Sequence, residues 1–152
     1  MSLDDVYRQV VMDHYQHPRH HGHLEHPTLS VGLHNPSCGD ELHLDLIVDA
    51  HGVVRDAAFE GQGCSISMAA ASMFVDRVRG KTLEEARQVV ESFKDLLRRR
   101  EADRSLLGDL EALEGVSQFP ARVKCATLVM NAFEQAIDRI EPEGGAGDGR
   151  KA

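Results

Sequence analysis

The middle of the chain contains stretches in which apolar and polar residues alternate, and this pattern restricts the fold more than any other feature. Residues 42–48 place an apolar side chain at nearly every second position, which is typical of a strand buried on one face. A turn at 49–52 follows, and residues 53–59 have the pattern of a returning strand. Residues 29–34 form a third strand candidate before them. Together these segments predict an antiparallel meander of three strands.

Helical spacing of apolar residues surrounds this meander on both sides. The second of the three helices after it should begin with a capping box, with Thr82 as N-cap and Glu85 three residues later. The first helix of the chain should dock on the sheet through its apolar face. The fold class we predict is α+β, a three-stranded antiparallel sheet packed against and flanked by about five helices. The main predicted helices span residues 3–16, 66–78, 82–97 and 120–140.

The remaining segments are more polar. Residues 98–118 begin with three arginines, which we interpret as a solvated helix end, and contain a short helix candidate near 109–113. Residues 141–152 are rich in Gly and Glu and should be disordered. We therefore expect one domain over residues 1–140 followed by a disordered tail.

Size and charge exclude several classes of protein. The chain has 152 residues and a net charge of −8, which disfavours nucleic acid or an anionic membrane as its main partner. No apolar run approaches the ~18 residues that span a bilayer, and the first residues lack the pattern of a signal peptide. We expect a cytoplasmic protein. Three cysteines in a reducing compartment favour metal or thiol chemistry over disulfides.

The cysteines and one aspartate are the strongest candidates for a functional site. Cys38, Asp40, Cys64 and Cys125 each lie at or near a turn that leads into a regular element. Three thiolates and one carboxylate would suit Zn²⁺, which binds sulfur and oxygen ligands tetrahedrally. The ligands are far apart in sequence, so the fold must assemble them. The alternative that the residues leave open is a set of ordinary buried cysteines.

Three other patterns indicate weaker candidates. Residues 14–26 contain six histidines, which near prolines more often mark a solvated turn than a second metal site. Gly61 and Gly63 could belong to a phosphate-binding turn, but Ile66 stands where the third glycine would be. A cysteine hydrolase would need a histidine base near its thiol, and the sequence pairs none with Cys64 or Cys125.

The chemistry of the four candidate ligands favours sulfur handling. Helix N-termini near Cys64 and Cys125, the cation of Lys124 and a bound metal would all favour thiolate, the reactive form of cysteine. A thiolate can attack the terminal sulfur of a partner's persulfide, as in thiol–disulfide exchange. Asp40 is a harder ligand than thiolate, and it would make the site labile.

Three segments in the same order resemble the signatures of the U-type iron–sulfur cluster assembly proteins, the IscU and NifU N-terminal family. They are Asn-Pro-Ser-Cys-Gly-Asp at 35–40, Gly-Gln-Gly-Cys-Ser-Ile-Ser at 61–67 and Phe-Pro-Ala-Arg-Val-Lys-Cys-Ala at 119–126. The IscU-type branch has a histidine before the third cysteine, where this chain has Lys124. The lysine and the extra segment at 98–118 resemble the SufU-type branch of zinc-dependent sulfurtransferases.

The resemblance implies a SufE/IscU-like fold and a zinc site made by Cys38, Asp40, Cys64 and Cys125. It implies that Cys38 accepts persulfide sulfur from a pyridoxal-phosphate cysteine desulfurase of the SufS type, a histidine of the desulfurase replacing it on zinc, and that the sulfur passes to a downstream cluster-assembly complex. A rival role in the same family is a scaffold for a [2Fe–2S] cluster. A third hypothesis is a zinc-stabilised binding module without sulfur transfer.

Overall fold

The computed structural model describes residues 3–35 and 39–140. This part of the chain forms four α-helices, three β-strands, one short 3₁₀ turn and one long 3₁₀ helix, so the predicted α+β class is confirmed. In chain order the elements are α1 (Leu3–Gln16), β1 (Leu29–Asn35), β2 (Asp40–Val48), β3 (Val54–Gln62), α2 (Ser65–Val78), α3 (Leu83–Leu97), the 3₁₀ turn (Arg104–Leu106), the 3₁₀ helix (Gly108–Gln118) and α4 (Pro120–Ile140).

The sheet is the predicted meander, with strand order β1-β2-β3 and antiparallel pairing throughout. The β1–β2 register pairs Asn35 with Asp40, so the turn between these strands lies at the same end of the sheet as Gln62, which pairs with Glu41. Each strand extends one to three residues beyond the alternating pattern at this end. This end of the sheet therefore brings the start of β2 close to the exit of β3.

The hydrophobic core lies between one face of the sheet and helices α2 and α4. Leu42, Leu44 and Leu46 of β2 are almost fully buried, because they point to the covered face while the residues between them point to the other. Phe74 of α2 and Phe133 of α4 meet edge to face in this core, with ring centroids 5.2 Å apart. The two helices that complete the candidate site are thus fixed by the same core.

Helix α1 packs on α2 and on the 3₁₀ helix, and the expectation that it docks on the sheet is wrong. The reason is a buried polar side chain on the packed face of α1. His14 is only 1% exposed, and its ring nitrogens lie 2.7 Å from Ser72 Oγ and 2.8 Å from Asp109 Oδ2. A helix face that contains a histidine needs hydrogen-bond partners where it is buried. Ser72 in α2 and Asp109 in the 3₁₀ helix supply them.

Helix α3 begins as the sequence predicts. The Thr82 hydroxyl accepts the Glu85 N–H at 3.1 Å, and the Glu85 carboxylate accepts the Thr82 N–H at 2.9 Å. These two bonds form the capping box. The three arginines after the helix are exposed, as expected for a solvated helix end.

The segment at 98–118 is more ordered and more buried than its composition indicates. Its main element is a 3₁₀ helix of 11 residues instead of a short helix at 109–113. Four apolar residues recur at every third position and are buried, and a 3₁₀ helix has three residues per turn, so they form one stripe. They are Leu107, Leu110, Leu113 and Val116.

The histidine-rich segment consists of turns and bends with most of its histidines exposed, so the predicted solvated turn is confirmed, and its backbone is in addition bonded to the sheet. The Gly22 N–H donates to the Phe59 carbonyl at 2.7 Å, and the Phe59 N–H donates to the His20 carbonyl at 3.2 Å. Residues 20–22 therefore run along β3 and cover its outer edge, which would otherwise expose unpaired backbone groups. Further along, the His23 ring and the Leu24 backbone N–H both contact the Asp45 carboxylate on the sheet.

Two further predictions concern membrane-spanning helices and the C-terminal tail. None of the helices in the described ranges has the length and hydrophobicity required to cross a lipid bilayer. The predicted disordered tail at 141–152 lies outside the described residues, and the domain boundary at 140 stays a prediction.

Candidate metal centre

Asp40 is the buried carboxylate at the centre of the site. It is 0% exposed and opens β2 directly after Gly39, whose φ of +74° lies in the left-handed region that glycine tolerates best. Its Oδ1 atom accepts the Cys64 N–H at 2.9 Å. Its Oδ2 atom is buried and has no hydrogen-bond partner among the residues that the structure describes. A buried carboxylate oxygen without a partner is costly, so this position favours a cation.

Cys64 lies between the end of β3 and the first turn of α2. It is the N-cap residue of α2, with φ −72° and ψ 168°, so its sulfur is near the positive end of the helix dipole. The Ser67 hydroxyl donates to the Cys64 carbonyl at 3.1 Å and lies 3.7 Å from the sulfur. The sulfur is half-buried and borders Asp40.

Opposing effects act on the Cys64 thiol, and their balance leaves its pKa below the usual value. Burial is the largest effect and raises the pKa. The backbone amide and the hydroxyl of Ser67 and the thiol of Cys125 lower it, while the negative charge of Asp40 raises it. The net direction favours thiolate, which is the form that binds metals.

Cys125 completes the group from the second turn of α4. Its side chain is 1% exposed, and its sulfur lies 3.9 Å from the Ala121 carbonyl. One ligand atom each of Asp40, Cys64 and Cys125 lies within 4.8 Å of the others. No other group of three His, Cys, Asp or Glu residues in the described ranges meets that distance.

The structure thus brings together three of the four candidate ligands. The fourth, Cys38, lies outside the described residues. That Cys38 completes the site stays a prediction. The three residues that are placed offer two sulfurs and one carboxylate oxygen, a donor set that fits a tetrahedral thiophilic cation with one further ligand.

Gly63 provides the space in which this group packs. A Cβ atom at Gly63 would lie 2.5 Å from Asp40 Oδ1 and 2.5 Å from Ser67 Oγ. Such contacts are too short to persist, so any residue other than glycine would force Asp40 or Ser67 to move. At Gly61 an added Cβ would meet the Glu41 carbonyl oxygen at 2.1 Å. The two glycines therefore allow close packing around the site. This packing explains both glycines without a phosphate-binding turn.

Ser67 is the residue of the site that sequence reasoning missed. It is 2% exposed, and its hydroxyl contacts both the backbone and the sulfur of Cys64. A signal was present, because a polar residue three positions after an N-cap commonly meets that cap. The Ser67 hydroxyl restrains the direction of the Cys64 side chain.

An open groove of about 710 Å³ runs beside the site. Ser65 and Ile66, directly after Cys64, line one end, and Phe119, which precedes α4, lines another part. Phe119 is 60% exposed, unusual for a large aromatic side chain. Other apolar residues of the groove are Val11, Leu113 and Val116.

Comparisons with known proteins agree with this fold and arrangement. The profile of the NifU-like N terminal domain matches residues 6–126. The zinc-dependent sulfurtransferase SufU of Bacillus subtilis is 48% identical over 141 residues, covering 92% of this chain and 95% of that protein. The iron–sulfur cluster assembly scaffold protein IscU of Streptococcus pyogenes is 42% identical, covering 91% of this chain and 86% of that protein.

A solved structure has the same architecture. The crystal structure of a nitrogen-fixing NifU-like protein (N-terminal) from Brucella abortus superposes with a TM-score of 0.83 at 25% sequence identity. The superposition covers 93% of this chain and 98% of the Brucella abortus chain. The match therefore includes the sheet, the helices and the end of the sheet where Asp40 lies.

Proposed function

Because this chain belongs to the NifU-like N-terminal domain family, we propose that it acts in iron–sulfur cluster assembly as a zinc-containing acceptor of persulfide sulfur. The observation that carries the proposal is the buried, unpartnered Oδ2 of Asp40 beside two cysteine sulfurs. The name of the Bacillus subtilis relative, a zinc-dependent sulfurtransferase, supports the same chemistry.

The metal we propose is Zn²⁺, held by Cys38, Asp40, Cys64 and Cys125. Zinc prefers four ligands and binds thiolate and carboxylate together, and this set would supply three sulfurs and one oxygen. When bound, zinc would keep the thiolates deprotonated without redox chemistry of its own. The Cys64 N–H holds Oδ1 of Asp40, which leaves Oδ2 for the metal. Ser67 restrains the Cys64 side chain in the same site.

Cys38 is the sulfur acceptor we propose. Cys125 is 1% exposed, so a partner's persulfide cannot easily reach it. Cys38 lies two residues before Asp40 in the sequence, and two peptide units span at most about 7 Å, so chain connectivity keeps it near the site. The Gly39 N–H donates to the Asn35 carbonyl at 2.9 Å, so the described residues on either side of Cys38 are joined at this end of the sheet.

The transfer itself is a thiolate displacement. The Cys38 thiolate attacks the terminal sulfur of a persulfide on the partner's cysteine. A new S–S bond forms at Cys38, the original S–S bond breaks, and the partner's cysteine leaves as a thiolate. No electrons are gained or lost overall, so the step needs no external oxidant or reductant.

The partner we propose is a pyridoxal-phosphate cysteine desulfurase of the SufS type, and the sulfur would pass to a downstream cluster-assembly complex. The groove beside Cys64, whose lining is partly apolar, supports a docked partner, because exposed apolar surface next to a reactive group commonly marks an interface. Phe119 fits the role of an anchor, since exposed aromatic residues contribute strongly at interfaces.

A second candidate function is a scaffold on which a [2Fe–2S] cluster is assembled. The name of the Streptococcus pyogenes relative favours it. Against it stands Lys124, an exposed cation directly before Cys125, which cannot replace a histidine as a ligand unless it loses its proton. In this alternative the three cysteines and Asp40 would hold the cluster as cargo.

The deciding experiment combines metal analysis with a desulfurase assay. We expect protein purified in air to be colourless with about one zinc per chain, and to stimulate cysteine turnover by a SufS-type desulfurase. Cys38→Ala should abolish the stimulation and the persulfide detected on this chain by mass spectrometry, while Ser37→Ala, the matched control, should retain both.

Each alternative has its own outcome in that experiment. A brown, iron-rich protein with visible absorbance would favour the scaffold. Lack of stimulation by the unaltered protein, with one zinc bound, would favour a purely structural zinc module. Full stimulation by Cys38→Ala would show that Cys38 is not the acceptor, and the half-buried Cys64 would be the next candidate, ahead of the buried Cys125.

A further inference from the structure

The face of the sheet that points away from the core carries a second cluster of metal-ligating side chains. Strand pairing places His43 directly opposite Glu60, and His34 directly opposite Glu41. These four residues and His23 line an open cavity of about 440 Å³. Cys64 and Cys125, the cysteines that the structure describes, do not line it.

His23 lies between two carboxylates. Its Nε2 atom is 2.5 Å from Glu60 Oε1, and its Nδ1 atom is 3.3 Å from Asp45 Oδ2. A neutral imidazole has a single N–H and can donate to only one of them. At the other nitrogen a lone pair would then face a carboxylate oxygen. A proton between His23 and Glu60 removes this conflict at the observed distance, and a metal ion bound by both would remove it with the two atoms further apart.

Asp45 fixes the orientation of His23. The Asp45 side chain is 3% exposed, its Oδ1 accepts the Ser30 hydroxyl, and its Oδ2 accepts the Leu24 N–H at 3.0 Å. A carboxylate that accepts one ring N–H of a histidine leaves the other nitrogen free to bind a metal, and such pairs are common around metal ligands. Asp45 therefore acts as a positioning residue that directs Nε2 of His23 towards Glu60.

His43 supplies the second imidazole. Its ring meets that of His23 at a centroid distance of 5.5 Å and an interplanar angle of 75°. The ring lies over Gly32, where an added Cβ would come within 3.3 Å of Nδ1. The ligand atoms of His23, His43 and Glu60 do not all lie within 4.8 Å of one another. Rotation of the exposed His43 ring, a fast motion at a surface, can bring them together.

We propose that His23, His43 and Glu60 form a second, solvent-open binding site for a divalent transition metal. Two imidazoles and one carboxylate suit Zn²⁺, Co²⁺ or Ni²⁺, and three protein ligands leave positions for water. No thiol of the described residues belongs to these ligands, so the site differs in chemistry from the cysteine centre. It does not depend on the proposed sulfur transfer.

Cobalt titration of the full chain, already carrying zinc at the cysteine centre, tests the proposal. Cobalt bound by nitrogen and oxygen alone gives weak visible bands without the near-ultraviolet thiolate-to-cobalt band. We expect one further equivalent of cobalt with that spectrum. Because Co²⁺ is paramagnetic, the imidazole NMR signals of His23 and His43 should broaden.

Matched variants distinguish this site from non-specific binding. His43→Ala and Glu60→Gln should each weaken cobalt binding by about 10–100-fold, with the zinc content and the circular dichroism spectrum unchanged. His51→Ala, at an exposed turn on the same sheet, should bind cobalt as the unaltered protein does. The proposal is overturned if no further cobalt binds, if the only new signal is the thiolate band, or if both variants bind normally.

Discussion

The Cys64 backbone N–H and one oxygen of Asp40 are joined by a hydrogen bond of 2.9 Å, while the other oxygen of that carboxylate is buried without a partner. This bond connects the start of β2 to the start of α2. It also fixes the carboxylate, so that its unpartnered oxygen is held in place before any cation arrives. Pre-orientation of this kind reduces the entropic cost of binding.

Asp40→Asn should weaken zinc binding without lowering the unfolding temperature of the metal-free protein. An amide buries no net charge, so we expect the metal-free variant to unfold at the same temperature as the unaltered protein or higher. It should bind zinc at least about 10-fold more weakly, because it lacks the anionic ligand. Thermal unfolding with and without a chelator, together with a zinc competition assay, measures both effects.

Asp76→Asn is the control for this prediction, since Asp76 is an exposed acid on α2 that pairs with His20. It should leave zinc affinity unchanged. Equal zinc affinity in Asp40→Asn and the unaltered protein would contradict the assignment of Asp40 as a ligand.

Gly63→Ala should damage the metal centre through packing. The added methyl group would approach Asp40 Oδ1 and Ser67 Oγ to 2.5 Å, so one or both must move. We expect a loss of about 1–3 kcal/mol in the free energy of unfolding and a zinc affinity lower by at least about 10-fold. Denaturant unfolding and zinc competition are the measurements.

Gly115→Ala is the matched control, because a Cβ there meets nothing within 4 Å. It should leave zinc binding unchanged and be neutral or stabilising by about 0.4–1 kcal/mol. Normal zinc affinity in Gly63→Ala would mean that the close packing around Gly63 has no part in holding the site.

The elements that the sequence predicts well are those with a periodicity of 2 or 3.6 residues and clear end signals. Thr82 and Glu85 mark the start of α3, and Pro120 marks the start of α4. The 3₁₀ helix was missed because its buried residues recur every third position, a spacing that neither a strand nor an α-helix produces. Its length is also rare for this type of helix.

The sequence predicts which residues form the site better than it predicts the contacts that their side chains make. The position of Asp40 and of the cysteines at element ends indicated that they meet, and the resemblance to a family gave the set its chemistry. The partners of His14 could not be predicted, since Ser72 and Asp109 are 58 and 95 residues away in sequence. Long-range polar pairs leave no periodic signal.

His14→Ala should release α1 from the rest of the molecule. The substitution leaves a cavity and removes the bonds to Ser72 and Asp109, with an expected cost of about 2–5 kcal/mol in the free energy of unfolding. Hydrogen exchange of the amides of α1 should accelerate more than that of α3. His17→Ala, an exposed histidine just after α1, should cost little. Equal hydrogen-exchange protection of the α1 amides in His14→Ala and His17→Ala would contradict the role of His14 in holding α1 in place.

The ion pair between Arg104 and Glu114 should give the 3₁₀ helix a measurable dependence on pH. The hydrogen bond from Arg104 is the main cause that holds the pKa of Glu114 below its usual value, and burial acts in the opposite direction. A carboxyl group whose pKa is lower in the folded state stabilises the fold fully above its unfolded pKa of about 4.3. That contribution is lost as the pH falls through the lower, folded pKa.

Glu114→Gln should therefore be less stable than the unaltered protein at pH 7, with the difference shrinking towards strongly acidic pH. Both side chains are more than 40% exposed, so the difference should be only about 0.2–1 kcal/mol and should decrease in concentrated salt. Glu91→Gln, on the exposed face of α3, is the control and should follow the unaltered protein at every pH. Urea unfolding between neutral and strongly acidic pH measures the difference. A gap between Glu114→Gln and the unaltered protein that widens on acidification would have the wrong sign for this ion pair, because protonation of Glu114 removes the interaction that the variant lacks.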